Sequence, residues 1–124
     1  MNIERRRQRT HLVSQALRYQ LEACCADGGI HAMVVADRDG LALASSGNAD
    51  ECEELAARMV QVGARIDEFA GTLLGAGRRW DVQMTKISVD SVDLLVCAVG
   101  GSAEQREHQI RRGARGALRI LATA

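Results

Sequence analysis

The sequence predicts an α/β (α+β) fold in which an antiparallel sheet of four to five strands, ordered 2-1-4-3, is sandwiched between helices in the chain order αββαββα. Three observations carry this. Apolar residues recur at helical spacing at both ends of the chain and again in its middle. Two pairs of short β-prone runs each meet at a turn sequence. No proline, low-complexity linker or internal repeat divides the 124 residues. A single domain over residues 1–124 is expected, large enough for one sizeable core.

The first helix covers about residues 4–26: Val13, Leu17, Leu21 and Cys24 keep helical spacing, with Leu12, Ala16 and Ala23 beside them, and Gly28 and Gly29 end it. Residues 30–36 (IHAMVVA) and 41–45 (LALAS) read as strands that meet at Asp37-Arg38-Asp39-Gly40. Aspartate at the first turn position accepts backbone hydrogen bonds, and the glycine supplies a positive φ. The two carboxylates also invite comparison with a calcium loop. That pattern would need a ligand at position 35 and a carboxylate near 46, where the chain has Val35 and Ser46. The carboxylates are therefore assigned to the turn.

A long second helix is predicted over residues 49–74, capped by Asn48 with Glu51 three residues on and with an acidic first turn that suits the helix dipole. Cys52, Leu55, Ala56, Met59, Gly63 and Ile66 form one face, widened by Val62, Phe69, Ala70 and Leu73. This is more apolar surface than one sheet face can use, and a second subunit is expected to bury part of it. Residues 80–90 and 92–99 form a second hairpin around Asp90 and Ser91. Ser102 and Gln105 make a capping box for the last helix, where Ile110, Gly113, Ala114, Ala117, Leu118 and Leu121 recur at helical spacing. Gly113 and Gly116 each lower helix propensity by about 1 kcal/mol relative to alanine, which points to close approach of that helix to the sheet.

Both faces of 30–36 and of 92–99 are apolar, so these strands are expected at the centre, with His31 buried there. The short 41–45 and the mixed 80–90, with Gln83, Thr85, Lys86 and Ser88, are expected at the edges. The outer edge of 80–90 then needs cover or a partner.

Net charge is zero but unevenly placed: +3 over residues 1–23, +3 over 102–124 and −6 between them, densest at Asp50, Glu51, Glu53 and Glu54. If the two ends pack together, the molecule has a basic and an acidic side. Only Tyr19, Phe69 and Trp80 are aromatic, which argues against base-stacking platforms. The basic N-terminus has no apolar stretch behind it and no segment could span a bilayer, so a cytoplasmic protein without a transmembrane segment is expected. Cys24, Cys25, Cys52 and Cys97 lack the spacing of a metal or redox motif and read as small buried residues. No cofactor, metal or catalytic residue is indicated: His11, His31 and His108 are far apart, no P-loop is present, and GAGRRW is too short to cradle a dinucleotide.

The element order, the phrase AMVVADRDGLALASSG and the second hairpin ending in LLVCAVGG together resemble the roadblock/dynein light chain family, particularly its bacterial members that accompany small Ras-like GTPases in gliding motility. The resemblance covers nearly the whole chain. It implies a roadblock/longin-like fold and a noncatalytic homodimeric regulator or scaffold that binds a Ras-like GTPase and modulates its nucleotide state or localisation. It also implies that the GTPase's own catalytic loops are stabilised, without an inserted arginine finger. Arg78 or Arg79 is the variant in which one is supplied. Family members usually have five strands and this sequence offers four, so either GRRW and the start of 80–90 supply a broken extra strand or one is missing. Such proteins dimerise by joining sheets edge to edge and packing their second helices. The expected dimer residues are Leu55, Met59, Val62, Gly63, Ile66, Trp80, Val82 and Met84, with Glu54, Arg58 and Arg65 as GTPase contacts beside the seam. The alternative is a basic scaffold in which the RRRQR run and the arginines of the last helix bind an anionic membrane or nucleic acid, although interleaved aromatics and an exposed apolar stripe are absent from those segments.

Overall fold

The computed structural model describes residues 3–75 and 77–122, with side chains from residue 11 onward. The RRRQR side chains lie outside the described residues. Three helices and five strands follow one another as α1 (Ile3–Gly28), β1 (Ala32–Ala36), β2 (Ala42–Ser46), α2 (Ala49–Gly63), β3 (Glu68–Gly75), β4 (Arg78–Val89), β5 (Val92–Val99) and α3 (Ala103–Ala122). All strand pairs are antiparallel, and the sheet runs β2-β1-β5-β4-β3.

The alternation of side chains along each strand divides the core into two layers. Val34, Ala36, Val82, Met84, Cys97 and Val99 point to one face, where they enclose Cys52, Leu55, Ala56 and Met59 of α2. Met33, Val35, Ile87, Leu94, Val96 and Ala98 point to the other, against Leu17, Leu21 and Cys24 of α1 and Ile110 and Ala117 of α3. β1 is buried along its whole length, as a central strand covered on both sides must be. Helices α1 and α3, which carry the two basic ends of the chain, share one face, and the acid-rich α2 takes the other.

The turns follow the local chemistry. Oδ1 of Asp37 accepts from the amides of Asp39 and Leu41, at 2.9 and 3.0 Å, and Gly40 sits at φ +82°, so the opening aspartates close a hairpin. Asp90 and Ser91 both take positive φ, which matches the twist of a two-residue hairpin. Asn48 caps α2 by accepting from the Glu51 amide at 3.1 Å, and Ser102 caps α3 by accepting from the Gln105 amide at 3.1 Å. The two glycines of α3 serve different neighbours. A Cβ on Gly113 would lie 3.1 Å from Cε of Met33 on the sheet, whereas one on Gly116 would lie 2.5 Å from Cδ of Gln20 on α1.

Three expectations need correction. The second helix stops at Gly63, not at residue 74, and residues 68–75 are the fifth strand. Phe69, Ala70 and Leu73 fit a helical period. In this segment, however, Phe69, Gly71 and Leu73 also alternate with Glu68, Ala70 and Thr72, and two glycines and a threonine weaken a helix. The decisive contribution is tertiary: the 12-residue β4 offers a long unpaired flank, which 68–75 covers in register from Glu68↔Thr85 to Gly75↔Arg78. The extra strand therefore does not come from GRRW, which opens β4. Second, β4 is internal rather than an edge. Its polar Gln83 and Thr85 are accommodated because α3 covers that face incompletely, leaving them in an open groove of about 520 Å³. Third, His31 precedes β1 instead of lying inside it, and its side chain is 60% exposed.

Candidate functional site

The outer flank of the sheet, where β3 runs beside α2, combines an open strand edge with an exposed helix side. The amide of Lys86 donates to the Asp67 carbonyl at 2.8 Å, which makes 67 and 86 a hydrogen-bonded pair and directs the main-chain groups of Phe69, Gly71 and Leu73 toward β4. The amides and carbonyls of Glu68, Ala70, Thr72 and Leu74 therefore point off the edge. One of them is occupied: Arg58, on the flank of α2 facing β3, donates through Nη2 to the Leu74 carbonyl at 2.8 Å. On the α2 face of the same strand, Phe69 and Leu73 are partly buried and pack with Val62 against the core, and Ile66 stands 43% exposed beside them. The result is an apolar strip of Val62, Ile66, Phe69 and Leu73 bordered by Arg58 and Arg65.

One ion pair ties the β3–β4 hairpin to α2, and another joins the hairpin's own two strands at its other end. The Glu51 carboxylate, in the first turn of α2, receives Arg78 at the start of β4 and Nε2 of His31 at 2.7 Å. The His31 hydrogen bond and then the Arg78 hydrogen bond hold the Glu51 carboxyl below the usual glutamate range. At the opposite end Nζ of Lys86 lies 3.2 Å from Asp67. The composition and the capping pattern pointed to Glu51 only as a helix-start residue. Its pairing with residues 20 and 27 positions away carries no local signal and appears only when the chain folds.

The residues expected at a dimer contact separate into two groups. Leu55, Met59, Trp80, Val82 and Met84 are buried between α2 and the protomer's own sheet and serve the core, and the buried Gly63 leaves room there for Leu95, so none of the six presents a contact surface. Val62 and Ile66 remain accessible, because they lie where α2 ends and the chain turns into β3. Of the expected GTPase contacts, Glu54 is exposed, Arg65 is exposed just beyond α2, and Arg58 is half-buried by its bond to Leu74. Arg78 is held by Glu51 and Arg79 pairs with Asp81 at 3.7 Å, so both arginines at the start of β4 are engaged within the protomer.

Cys24, Cys52 and Cys97 are buried and Cys25 is half-buried, all as free thiols, and burial pushes each thiol above its ordinary range. Among the described residues no three His, Cys, Asp or Glu side chains gather as metal ligands, and no helix is long and apolar enough to cross a membrane. Several arginines of the basic face are neutralised locally: Arg112 by Asp27 at 2.7 Å, Arg111 by Glu107 at 2.6 Å and Arg18 by Glu22 at 3.6 Å. Arg106 donates to the carbonyls of Gly100 and Gly101.

No family model and no curated protein matches the chain. Solved structures do. MglB of Myxococcus xanthus is 15% identical and superposes with a TM-score of 0.64 over 88% of this chain and 90% of its own. An MglB with a tetrameric arrangement is 16% identical, with a TM-score of 0.65 over 90% of this chain and 91% of its own. The Roadblock/LC7 domain from Streptomyces avermitilis is 12% identical, with a TM-score of 0.57 over 84% and 96%. These likenesses agree with the five-stranded antiparallel sheet, its single helix on one face and its helix pair on the other: the protein has the roadblock/LC7 fold.

Proposed function

We propose that this chain is a noncatalytic, cytoplasmic, single-domain module over residues 1–124 that forms a homodimer, binds a small Ras-like GTPase and modulates its nucleotide state or localisation. The observation that carries the reading is the open β3 edge lying beside the exposed flank of α2 in a roadblock/LC7 fold. An unpaired edge with outward amides at Glu68, Ala70 and Thr72 is suited to antiparallel pairing with the same strand of a second copy. That pairing would bring two α2 helices to one side of a ten-stranded sheet, with Val62, Ile66, Phe69 and Leu73 at the seam. The burial of Leu55, Met59, Trp80, Val82 and Met84 moves the proposed contact outward to these four residues. Glu54, Arg58 and Arg65 line the seam and are the proposed contacts for the GTPase. The tetrameric arrangement of one MglB neighbour supports the reading of a self-associating chain.

In the basic-scaffold alternative, the pairing of Arg111 and Arg112 with Glu107 and Asp27 reduces what the last helix would contribute, since phosphate-driven binding needs cations free to displace counterions. Titration calorimetry with a Ras-like GTPase, loaded with a GTP analogue and then with GDP, tests the proposal. Binding to one state that persists at moderate salt and weakens in Arg65→Glu supports it. No binding in either state by an intact dimer refutes it, and binding that disappears with added salt returns the scaffold reading. Ala70→Pro tests the dimer separately: it removes an outward amide without touching the β4 ladder, so the fold should persist while the dimer dissociates.

A further inference from the structure

We infer that α1 carries a second self-association face, distinct from the β3 edge, through which two copies pack their first helices antiparallel. On the side of α1 turned away from the sheet, Leu12 is 61% exposed and Tyr19 is 55% exposed, although both are large and apolar. They belong to a line that continues through Ala16, Ala23 and Ala26. The spacing alternates four and three residues, the repeat that lets one helix seat its side chains along another. The line runs about 21 Å, or nearly four turns. The protomer leaves Leu12, Tyr19 and Ala26 exposed and covers Ala16 and Ala23 only in part, since α3 packs on the neighbouring side through Gln20 and Cys24, and the sheet takes Leu17 and Leu21.

Tyr19 is prepared for such a contact. Nε2 of Gln15 donates to its hydroxyl at 2.9 Å, and the Arg18 guanidinium lies 5.5 Å from the ring centroid. The hydroxyl is satisfied and the ring is held in place, so little side-chain entropy remains to be lost on docking.

Charge selects the occupant and its orientation. Arg18 and Glu22 flank the line and pair with each other at 3.6 Å, each about half exposed. A two-fold axis between residues 19 and 20 sets Ala16 level with Ala23 of the second copy and, to within one residue's rise, Leu12 level with Ala26. It also brings Arg18 to within one residue's rise of Glu22 of that copy, a distance the two long side chains span, so four charges of alternating sign close the rim. A parallel arrangement would instead put Arg18 level with Arg18 and bring both N-terminal arginine runs together. The surface is therefore complementary to itself in the antiparallel sense, and its occupant is a second copy of this chain. The contact does not depend on the β3 edge. Where both operate, dimers join into tetramers.

Sedimentation velocity on the full chain, from about 5 to about 500 µM to suit an interface below standard size, tests this. The mass is expected to double with concentration. Leu12→Glu and Tyr19→Glu, both at exposed positions that the fold tolerates, should abolish the doubling, as should Arg18→Glu. The exchange Arg18→Glu with Glu22→Arg should restore it. A wild-type mass that does not rise, a rise undiminished in Leu12→Glu and Tyr19→Glu, or an exchange variant as weak as Arg18→Glu would each overturn the inference. The two contacts are separable: with both present, wild type passes from two copies to four and Ala70→Pro from one to two. If wild type itself passes from one copy to two and Ala70→Pro behaves identically, the β3 contact has failed while the α1 contact stands.

Discussion

Met59 and Ile66 separate the core from the proposed contact, and replacing each by glutamate gives opposite outcomes. Met59 is wholly enclosed among Leu55, Val34, Cys97 and their neighbours between α2 and the sheet. Losing a buried methionine side chain costs roughly 2–5 kcal/mol, and an ionised carboxylate enclosed without a partner adds several more. The combined loss is comparable with the whole stability of a typical domain, about 5–15 kcal/mol. The carboxyl would resist ionisation, so its folded pKa would rise above the unfolded value near ~4.3. The destabilisation is then least below that value and grows by up to about 1.4 kcal/mol per pH unit as pH rises toward the folded pKa. Ile66, by contrast, is 43% exposed beyond the end of α2, and a glutamate there stays hydrated. Its effect on the protomer should be within about 1 kcal/mol. Urea unfolding followed by far-UV circular dichroism at pH 5 and pH 8, with light scattering on the same samples, measures both quantities. Met59→Glu should lose cooperative unfolding at pH 8 and regain part of it at pH 5. Ile66→Glu should keep cooperative unfolding while its mass falls, its midpoint dropping only by the lost, concentration-dependent stabilisation from the dimer. A Met59→Glu midpoint equal to wild type at pH 8 would show that α2 does not seal this layer, and the two-layer description of the core would be wrong.

Asp39→Asn should be neutral, because the turn uses the Asp39 amide and not its carboxylate, whereas Asp37→Ala removes the acceptor of two amides and should cost about 1–2 kcal/mol in urea unfolding. Glu51 has a depressed folded pKa, so its contribution is present above the unfolded value and is lost as pH falls through the folded one; the urea midpoint of wild type should therefore drop more steeply than that of Glu51→Gln on acidification below about pH 4.5. Cys97 is wholly buried with its thiol shifted upward and should react with a thiol reagent only at the rate of global unfolding, while the half-buried Cys25 reacts first; mass spectrometry of labelled peptides reads the order.

By itself the sequence determined those parts of the protein that short-range chemistry decides. The hairpin turns at residues 37–40 and 90–91, the caps at Asn48 and Ser102 and the two central strands follow from turn residues, capping side chains and apolar periods, all of which act over a few residues. Residues 64–75 lay beyond that reach. Their apolar positions satisfy a helical period and an alternating one about equally, and propensity differences of a few tenths of a kcal/mol per residue cannot choose between them. The choice came from β4, a strand 12 residues long whose outer flank needed hydrogen-bond partners that only 68–75 could reach. The candidate site depended on that choice. With 68–75 as helix, the 49–74 helix has surplus apolar surface and 80–90 is an edge strand, which puts Leu55, Met59, Trp80, Val82 and Met84 at a second subunit. With 68–75 as strand they fill the protomer, and the open surface shifts to the β3 edge, where Arg58 meets Leu74. The tie of Glu51 to His31 and Arg78 was likewise decided only by the tertiary structure, because side chains from three separate segments meet there through the packing of α2 on the sheet and not through any spacing along the chain.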